Sequence, residues 1–379
     1  MDMNLSKEHL MVKQLIHDFA INEIEPWAEE TDEFHRFPWE IVHKMQANGF
    51  MGIPFPREIG GQGCDTLAYI LAVEEIAKVC ATTAVILSAH TSLAADAISL
   101  HGTDEQKEKF LRPLANGIKL GSFALTEPEA GTDAAGQQTK AVRDGNEWVI
   151  NGSKIFITNG EVADIYVVFA MTDKSAGTRG ISAFIVEKGT PGFSFGLPEK
   201  KMGIRGSSTC ELVFEDCQIP LENLLGREGK GFGIAMSTLD GGRIGIGAQA
   251  LGIAEGAFER TVQYVKERKQ FNRPIAGFQN TQFVLAQIKA DIESVRYLVY
   301  NAALLKDAGK SYSVEAAMAK LKASQLASEV TRQCVQLHGG YGYIQSFQVE
   351  RMMRDAKITE IYEGTSEVMK MVISGSLLK

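Results

Sequence analysis

Apolar side chains recur at helical spacing in the first 120 residues. Ser6 is a favourable cap for the first helix and Pro26 a favourable stop. Residues 67–100 are almost continuously apolar, which predicts helices buried on most sides, and Thr103 with Gln106 forms a capping-box pattern before another short helix. The apolar positions of the first helix are Val12, Leu15, Ile16 and Phe19. This part of the chain is therefore predicted to be helical.

The hydrophobic period changes near Gly121, where short runs rich in β-branched and aromatic residues begin. Turn-forming pairs such as Asn151-Gly152 and Pro191-Gly192 separate the runs. The runs cover residues 147–150, 154–157, 165–171, 181–187 and 210–214. They predict a small, mostly antiparallel β-domain that ends near residue 225.

Helical spacing returns from Gly226 and continues to the end of the chain. Residues 229–256 carry many glycines, an unfavourable composition for a helix unless another helix or a ligand approaches closely. Two apolar stripes follow, at Leu285, Ile288, Ile292, Val295 and Val299, and at Leu326, Val330, Cys334 and Leu337. They predict long helices packed as a bundle. The pattern as a whole predicts an α+β protein with a helical domain at 1–120, a β-domain at 121–225 and a helical bundle at 226–379.

The composition is that of a globular protein and disfavours nucleic acid as a partner. Of the 379 residues, 45% are hydrophobic and 23% charged, and the formal net charge is −8, whereas a phosphate backbone favours a basic face. We find no stretch apolar for long enough to span a bilayer and no signal sequence, so we expect a cytoplasmic protein without membrane insertion. The five cysteines lack Cys-x-x-Cys spacing, which favours free thiols.

Several familiar motifs are absent or out of context. Gly245-x-Gly247-x-x-Ala250 matches the dinucleotide fingerprint as a string, but no strand precedes it, so we reject a Rossmann fold. The seven histidines show no metal-ligand spacing and no Gly-x-Ser-x-Gly elbow occurs, so neither a metal site nor a serine hydrolase is predicted. His338 is interpreted as structural.

One carboxylate stands out where a helical pattern stops near the end of the chain. Glu363 precedes Gly364, which allows a sharp turn, and Thr365 can cap a helix that begins at Ser366. Glu363 would then lie at a fixed joint between two elements. The alternative is a solvated acid near a helix N-terminus, where the helix dipole tolerates negative charge. An isolated Glu-Gly-Thr favours that alternative.

A polar loop at residues 123–134 lies where helices give way to strands. Its backbone N–H groups and the hydroxyls of Thr126 and Thr132 could contact the edge of a polar ring or a phosphate. The spacing alone is equally compatible with a simple domain linker. Residues 156–158, taken alone, are the end of a strand.

Six stretches together resemble the acyl-CoA dehydrogenase family over essentially the whole chain. The stretch 351–365 resembles especially the short-chain, butyryl-CoA branch found in bacteria. The resemblance implies an N-terminal helical domain, a middle β-domain and a C-terminal four-helix bundle, usually assembled as a homotetramer. The six stretches are Phe-Ala-Leu-Thr-Glu-Pro-Glu-Ala-Gly-Thr-Asp at 123–133, Lys-Ile-Phe-Ile-Thr-Asn-Gly at 154–160, Leu-Asp-Gly-Gly-Arg at 239–243, Glu-Arg-Lys-Gln-Phe at 267–271, Gln-Leu-His-Gly-Gly-Tyr-Gly at 336–342 and Arg-Asp-Ala-Lys-Ile-Thr-Glu-Ile-Tyr-Glu-Gly-Thr at 354–365.

The resemblance implies FAD as the cofactor, held between the β-domain and the bundle. The residues implied around the flavin and pyrophosphate are Phe123, Leu125, Thr126, Gly131 and Thr132, with Phe156, Ile157 and Thr158 against the isoalloxazine ring. Those implied to reach FAD across a subunit interface are Arg268, Phe271, Gln279, Gln336, Gly339 and Gly340. Thr365 and Glu367 are implied to contact the cofactor beside the Glu363 corner.

The reaction implied is α,β-dehydrogenation of a short-chain acyl-CoA to a trans-2-enoyl-CoA, with electrons passed to an electron-transfer flavoprotein. Glu363 would remove the α-proton while the flavin takes hydride from the β-carbon. A closed apolar site would raise the pKa of this carboxylate, and nearby backbone N–H groups would hold the thioester oxygen. The implied substrate contacts are Thr132, Asp240, Arg243, Tyr362 and Gly364.

Two positions of this sequence differ from relatives within the family. In isovaleryl and long-chain relatives the base comes from the position of Gly242, which cannot supply one here, so Glu363 is the matching base. Phe156 replaces a Trp of several relatives.

Two alternative functions remain. A branched-chain or dicarboxyl acyl-CoA dehydrogenase is one alternative, which a panel of acyl-CoA substrates would distinguish from a short-chain enzyme. A non-catalytic flavin- or CoA-binding protein of the same fold is another, and the intact Tyr362-Glu363-Gly364 argues against it.

Overall fold

The first part of the chain is helical, in a computed structural model that describes residues 5–378. The outermost limits of the predicted domains, Met1 and Lys379, lie outside these residues. Ser6 caps the first helix by accepting a hydrogen bond from the backbone N–H of His9, and Thr103 with Gln106 forms the predicted capping box. The helices are α1 (Lys7–Phe19), α2 (Ala28–Glu33), α3 (Trp39–Ala47), α4 (Thr66–Ala77), α5 (Ala81–Ser88), α6 (Asp96–His101), α7 (Asp104–Gln106) and α8 (Arg112–Ala115).

One stretch in the described part of the chain has the length and composition of a membrane span. Ala81–His101 covers 21 residues from α5 to α6, joined by the π-helical turn Ala89–Ala95. The expectation that the sequence contains no such window is therefore wrong. Within the fold, 83% of the apolar window is buried. Its hydrophobicity is accounted for by packing against the rest of the protein.

An eight-stranded sheet forms the middle of the chain, in the order β6-β7-β3-β2-β4-β5-β8 with β1 beside β4. Most strand pairs are antiparallel, while β1 and β2 each pair with β4 in parallel. The strands are β1 (Gly121–Ala124), β2 (Lys140–Asp144), β3 (Glu147–Thr158), β4 (Ile165–Met171), β5 (Ile181–Glu187), β6 (Phe193–Phe195), β7 (Thr209–Pro220) and β8 (Leu224–Leu225).

The pair Asn151-Gly152, predicted as a turn, lies inside the continuous strand β3. The register between β3 and β7 shifts between Ile150 and Gly152, so the pair forms a bulge. A β-carbon on Gly152 would lie 2.6 Å from Oγ1 of Thr139, and its φ is +142°. Glycine is therefore required by close backbone approach within the strand, and the same residue type misled the turn prediction.

Three long helices follow the sheet and pack together, with two shorter helices completing the C-terminal part. The predicted stripe of α10 is buried at Ile288, Ile292, Val295 and Val299, and that of α11 is buried at Leu326, Val330 and Cys334. The helices are α9 (Gly231–Glu267), α10 (Gln279–Asp307), α11 (Ser313–His338), α12 (Val349–Ile358) and α13 (Ser366–Leu377), and a short hairpin, β9 (Lys269–Gln270) with β10 (Arg273–Pro274), links α9 to α10.

The glycine-rich segment is a single helix, α9, at the centre of this arrangement. It packs against α4, α10 and α11. A β-carbon on Gly256 would lie 2.1 Å from the carbonyl oxygen of Lys78, at the end of α4. Close helix contact thus offsets the low helix propensity of glycine here. The string from Gly245 to Ala250 lies inside α9, which agrees with the rejection of a dinucleotide fingerprint.

Candidate functional site

Glu363 lies in a tight corner between two helices. Helix α12 ends at Ile358, and α13 begins at Ser366 after Thr365, whose side chain accepts a hydrogen bond from the N–H of Val368. Glu363 has a φ of +53° and Gly364 a φ of +100°. A positive φ is unfavourable for a residue with a β-carbon, so surrounding contacts must hold Glu363 in place.

Two buried cations supply such contacts from neighbouring helices. Arg243, on α9, directs Nε at the Glu363 carbonyl oxygen at 3.4 Å and pairs through Nη1 with Asp240 at 2.5 Å. Lys320, on α11, donates from Nζ to the Gly364 carbonyl oxygen at 2.5 Å. The Lys320 residue is fully buried and Arg243 almost so. Helices α9 and α11 therefore fix both peptide carbonyls of the corner.

The Glu363 carboxyl group combines a buried atom with a raised pKa. Part of the residue is accessible to solvent, but Oε2 is buried and has no hydrogen-bond partner within residues 5–378. Burial raises the pKa of Glu363 to about 7, against the opposing effect of Lys320 and Arg243, which lower it. A carboxylate with a pKa near neutrality is well matched to proton abstraction.

Helix α9 leaves space for this carboxyl group by carrying no side chain beside it. A β-carbon on Gly242 would lie 2.2 Å from Oε2 of Glu363 and 2.7 Å from Cδ2 of Leu93. Leu93 belongs to the same apolar cluster as Phe123 and Leu125 of the β1 region. The corner, α9 and the beginning of the sheet therefore meet around Leu93.

Lys320 and Gln249 belong to this site but were not predicted from the sequence. Lys320 lies among the buried residues Ala316 and Ala323 of α11, so a lysine on an otherwise apolar face was the available signal. Tyr362 donates from its hydroxyl to the side-chain oxygen of Gln249, and Gln249 donates to the Ala81 carbonyl oxygen at 2.9 Å. A buried Gln in the glycine-rich helix was a comparable signal.

The predicted flavin-contact residues of the β-domain lie on two adjoining segments. The backbone N–H of Ile155 donates to the Thr126 carbonyl oxygen at 2.9 Å, and Ser122 Oγ donates to the Thr158 carbonyl oxygen at 2.7 Å. Phe156 has a φ of +59°, and 61% of its surface is exposed. Phe123, Leu125 and Ile157 are buried, Thr126 and Thr158 are partly buried, and Gly131 and Thr132 are exposed.

A buried ion pair holds the loop that carries these residues. Lys154 is fully buried and donates to Glu127 at 2.6 Å, to Gln137 at 2.9 Å and to the Leu125 carbonyl oxygen at 3.1 Å. Glu127 also accepts from the backbone N–H of Thr139. Burial lowers the pKa of Lys154 to about 8, while Glu127 opposes that shift. Strand β3 is thereby tied to both ends of the loop.

A surface groove of about 560 Å³ lies at the junction of α9 and α11. Its lining includes four of the residues predicted to reach a cofactor across a subunit interface: Arg268, Gln336, Gly339 and Gly340. The Arg268 guanidinium stands over the Tyr341 ring at 5.1 Å. Phe271 and Gln279 are exposed near the hairpin but do not line this groove. An arginine with exposed glycine backbone suits a diphosphate.

His338, which also lines the groove, has a structural environment. Its Nδ1 lies 2.8 Å from the Cys334 carbonyl oxygen, and its ring stacks on Tyr264 with centroids 4.1 Å apart. Within residues 5–378, no group of three or more His, Cys, Asp or Glu side chains is arranged to hold a metal ion.

Known proteins match this chain along its whole length. Family models described as acyl-CoA dehydrogenase N-terminal, middle and C-terminal domains match residues 6–118, 122–217 and 229–378. The short-chain specific acyl-CoA dehydrogenase of Clostridium acetobutylicum is 62% identical over 379 residues, which cover 100% of both chains.

Solved structures agree with the sequence matches. Butyryl-CoA dehydrogenase from Megasphaera elsdenii has a TM-score of 0.99 at 54% identity, with 100% of both chains covered. A chain in a structure described as the electron transferring flavoprotein of Acidaminococcus fermentans also has a TM-score of 0.99, at 57% identity and full coverage of both chains. The predicted three-part α+β architecture is confirmed, and the chain belongs to the acyl-CoA dehydrogenase family.

Proposed function

We propose that this protein is an FAD-dependent short-chain acyl-CoA dehydrogenase that converts a butyryl-CoA-like thioester to its trans-2-enoyl-CoA. The observation that carries the proposal is Glu363, whose carboxyl Oε2 is buried and unpartnered and whose pKa is raised to about 7. In the reaction the α-proton passes to Glu363, and the hydride on the β-carbon leaves with its electron pair. FAD, when bound, would supply the acceptor for that hydride.

Glu363 has the properties that removal of an α-proton requires. Its raised pKa makes the carboxylate a stronger base than a solvated one, while Lys320 and Arg243 keep part of it ionised near neutral pH. The backbone N–H of Glu363 donates to no group within the described residues. We assign this N–H to the thioester oxygen, where it would stabilise negative charge that develops as the proton leaves.

FAD fits residues of two regions. The exposed Phe156 and the adjoining Thr126 and Thr158 offer an apolar face with polar edges to a planar ring. The groove around Arg268 offers a cation and exposed backbone to the diphosphate end. We propose that this second contact crosses a subunit interface of a homotetramer, with Phe271 and Gln279 on the same surface. Thr365 and Glu367 would contact the cofactor from the start of α13.

The residues beside Glu363 and the Asp240–Arg243 ion pair supply the proposed substrate contacts. Tyr362 and Gly364 would flank the acyl chain, Thr132 and Asp240 would contact the CoA portion, and Arg243 would act there through its ion pair with Asp240. The preference for short chains is supported by the relatives described as short-chain specific and as butyryl-CoA dehydrogenase. An electron-transfer flavoprotein as acceptor is supported by the match in the Acidaminococcus structure.

We further propose domain limits at residues 120 and 225 and a cytoplasmic location. The limits are supported by the first strand, which begins at Gly121, and by α9, which begins at Gly231 after the last strand of the sheet. The location is supported by the full-length similarity to bacterial relatives.

The proposed reaction is tested by the visible spectrum of the purified protein without oxygen. Butyryl-CoA in slight excess should bleach the oxidised flavin band, and octanoyl-CoA in a second cell should bleach it more slowly. Bleaching by isovaleryl-CoA or glutaryl-CoA alone would support the branched-chain or dicarboxyl alternative. A protein that remains colourless after reconstitution with FAD would contradict the enzyme function itself.

A further inference from the structure

Lys320 is a fully buried lysine that contacts the reaction corner from a helix outside the predicted site. It lies on α11, and its Nζ donates to the carbonyl oxygen of Gly364. A buried ammonium group is costly unless hydrogen bonds and opposite charge compensate for lost hydration. The negative charge of the Glu363 carboxylate raises the pKa of Lys320 and so supplies part of this compensation.

The hydrogen bond from Lys320 holds a backbone segment, Glu363-Gly364, that has little freedom to rearrange if the bond is lost. Gly364 follows Glu363 in a left-handed conformation, and its carbonyl group forms the peptide that leads into Thr365. Arg243 holds the preceding carbonyl, that of Glu363 itself, at the longer distance of 3.4 Å. Loss of the Lys320 contact would leave a partly buried carbonyl unpaired and the corner held from the α9 side only.

We infer that Lys320 is a positioning residue for the proposed reaction: it holds the Glu363-Gly364 corner through the Gly364 carbonyl and keeps the Glu363 carboxylate in its ionised, proton-accepting form. The inference rests on the proposed role of Glu363 as the base. The ammonium group of Lys320 thus has two functions: it fixes the backbone, and it opposes protonation of the carboxylate.

The charged and titratable groups around this pair define what a pH experiment would report. Lys320 is influenced by Glu363, Arg243, Glu360 and Glu367. Burial lowers the pKa of Lys320 to about 8, so its charge is mostly present up to about pH 7 and is lost in the upper part of the range in which Glu363 titrates. The charge of Glu363 also raises the pKa values of two tyrosines, Tyr69 on α4 and the neighbouring Tyr362. Both stay neutral in this range because burial raises their pKa values.

The test replaces the charge while retaining most of the side-chain volume. In Lys320→Met, the rate constant for flavin reduction at saturating butyryl-CoA should fall about 10- to 100-fold, as for loss of a charge-assisted hydrogen bond. The pH at which this rate constant is half-maximal should rise by about one unit in the variant, because a positive charge near a carboxylate lowers the pKa of that carboxylate. Lys322→Met is the matched control, since Lys322 lies on the same helix and is exposed. The control should match the wild type in both quantities.

A second readout does not depend on turnover. The carbonyl stretching band of protonated Glu363 can be followed by infrared difference titration in the FAD-loaded protein without substrate, and is assigned by its absence in Glu363→Gln. The titration midpoint should be higher in Lys320→Met than in the wild type. If this variant does not fold, Lys320→Gln, which keeps a hydrogen-bond donor without the charge, should show the same direction of shift.

The outcomes separate this inference from the proposed function. An unchanged infrared midpoint in a folded variant, or an unchanged reduction rate and pH profile, would overturn the role of Lys320. A wild-type protein whose flavin is not reduced by any acyl-CoA would contradict the proposed function instead, while the infrared shift would still test the effect of Lys320 on Glu363.

Discussion

Gly242 and Glu363 share one small volume: a β-carbon on Gly242 would lie 2.2 Å from Oε2 of Glu363. The position on α9 from which the resemblance expects a base in isovaleryl and long-chain relatives therefore faces the carboxyl group of Glu363 directly. A carboxylate carried by α9 at this position and one carried by the corner would reach the same space. The absence of a side chain at Gly242 is thus a condition for placing Glu363 where it lies.

Gly242→Ala should lower activity without lowering FAD content. The added methyl group would displace the Glu363 carboxyl group or the Leu93 side chain, and overpacking of this kind typically costs about 1–3 kcal/mol. We expect a fall of about tenfold or more in the rate of flavin reduction by butyryl-CoA. Gly233→Ala is the control on the same helix, because a β-carbon there has no heavy atom within 4 Å. Equal rates in both variants would contradict the close contact.

Glu363→Gln should keep bound FAD and lose turnover. The amide is nearly isosteric with the carboxyl group but cannot accept the α-proton, and loss of a general base typically costs about 10²- to 10⁴-fold in rate. Flavin content is measured by absorbance, and reduction by rapid mixing with butyryl-CoA. Glu360→Gln is the control, since Glu360 lies three residues earlier and pairs with Lys357. Retained flavin reduction in Glu363→Gln would remove this residue from the role of base.

The rate of flavin reduction should rise with pH through about 7. Glu363 must be ionised to accept a proton, and burial raises its pKa from the ordinary 4.5 to about 7. The rate constant at saturating substrate, measured from about pH 5.5 to about pH 7.5, where Lys320 is mostly charged, should therefore follow the ionised fraction of Glu363. A profile that is flat across this range would mean that Glu363 is already ionised at low pH or that proton removal does not limit the rate.

The same pKa shift predicts a pH-dependent effect on stability. Between pH 4.5 and about 7 the folded protein retains the Glu363 proton that the unfolded chain releases, so the free energy of unfolding falls as pH rises. Glu363→Gln removes this dependence. The variant should be more stable than the wild type by at most about 3 kcal/mol at pH 8, and the difference should shrink toward pH 5. Chemical unfolding at the two pH values measures it.

The groove around Arg268 predicts a link between assembly and cofactor retention. If Gly339 and Gly340 of one subunit contact FAD bound mainly to another, then conditions that dissociate the assembly should release FAD. Arg268→Ala should lose FAD more readily on dilution than Lys266→Ala, whose lysine is also exposed but lies outside the groove. Mass photometry and flavin fluorescence measure the two quantities. A monomeric protein that keeps stoichiometric FAD would contradict the shared site.

Hydrophobic spacing predicted the helices and strands, and the motifs predicted the corner at Glu363. Contacts between segments that are distant in the sequence could not be predicted from such local patterns. The stripe from Ile288 to Val299 faces the core because its spacing matches a helix. By contrast, Gly152 was misread as a turn, since a glycine required by an approaching Thr139 has the same local signature as one required by a hairpin. Lys320 was missed because its partners lie on a segment 44 residues away.

Lys154→Met should loosen the loop that carries the proposed flavin contacts. The substitution leaves the Glu127 carboxylate buried without its cation and frees the Leu125 carbonyl, and breaking one side of a buried ion pair typically costs about 3–5 kcal/mol. We expect a lower unfolding midpoint together with faster release of FAD. The exposed Lys140, on the neighbouring strand β2, provides the control Lys140→Met.

The two effects of Lys154→Met can be separated by comparing apoprotein and FAD-loaded protein. If the ion pair serves the loop, the stabilisation gained on adding FAD should be smaller in the variant than in the wild type, because the stabilisation by a bound ligand grows with the logarithm of its affinity. If it serves only the strand, the apoprotein should be destabilised but the gain from FAD unchanged. A variant that matches Lys140→Met in both measurements would show that the buried pair contributes to neither.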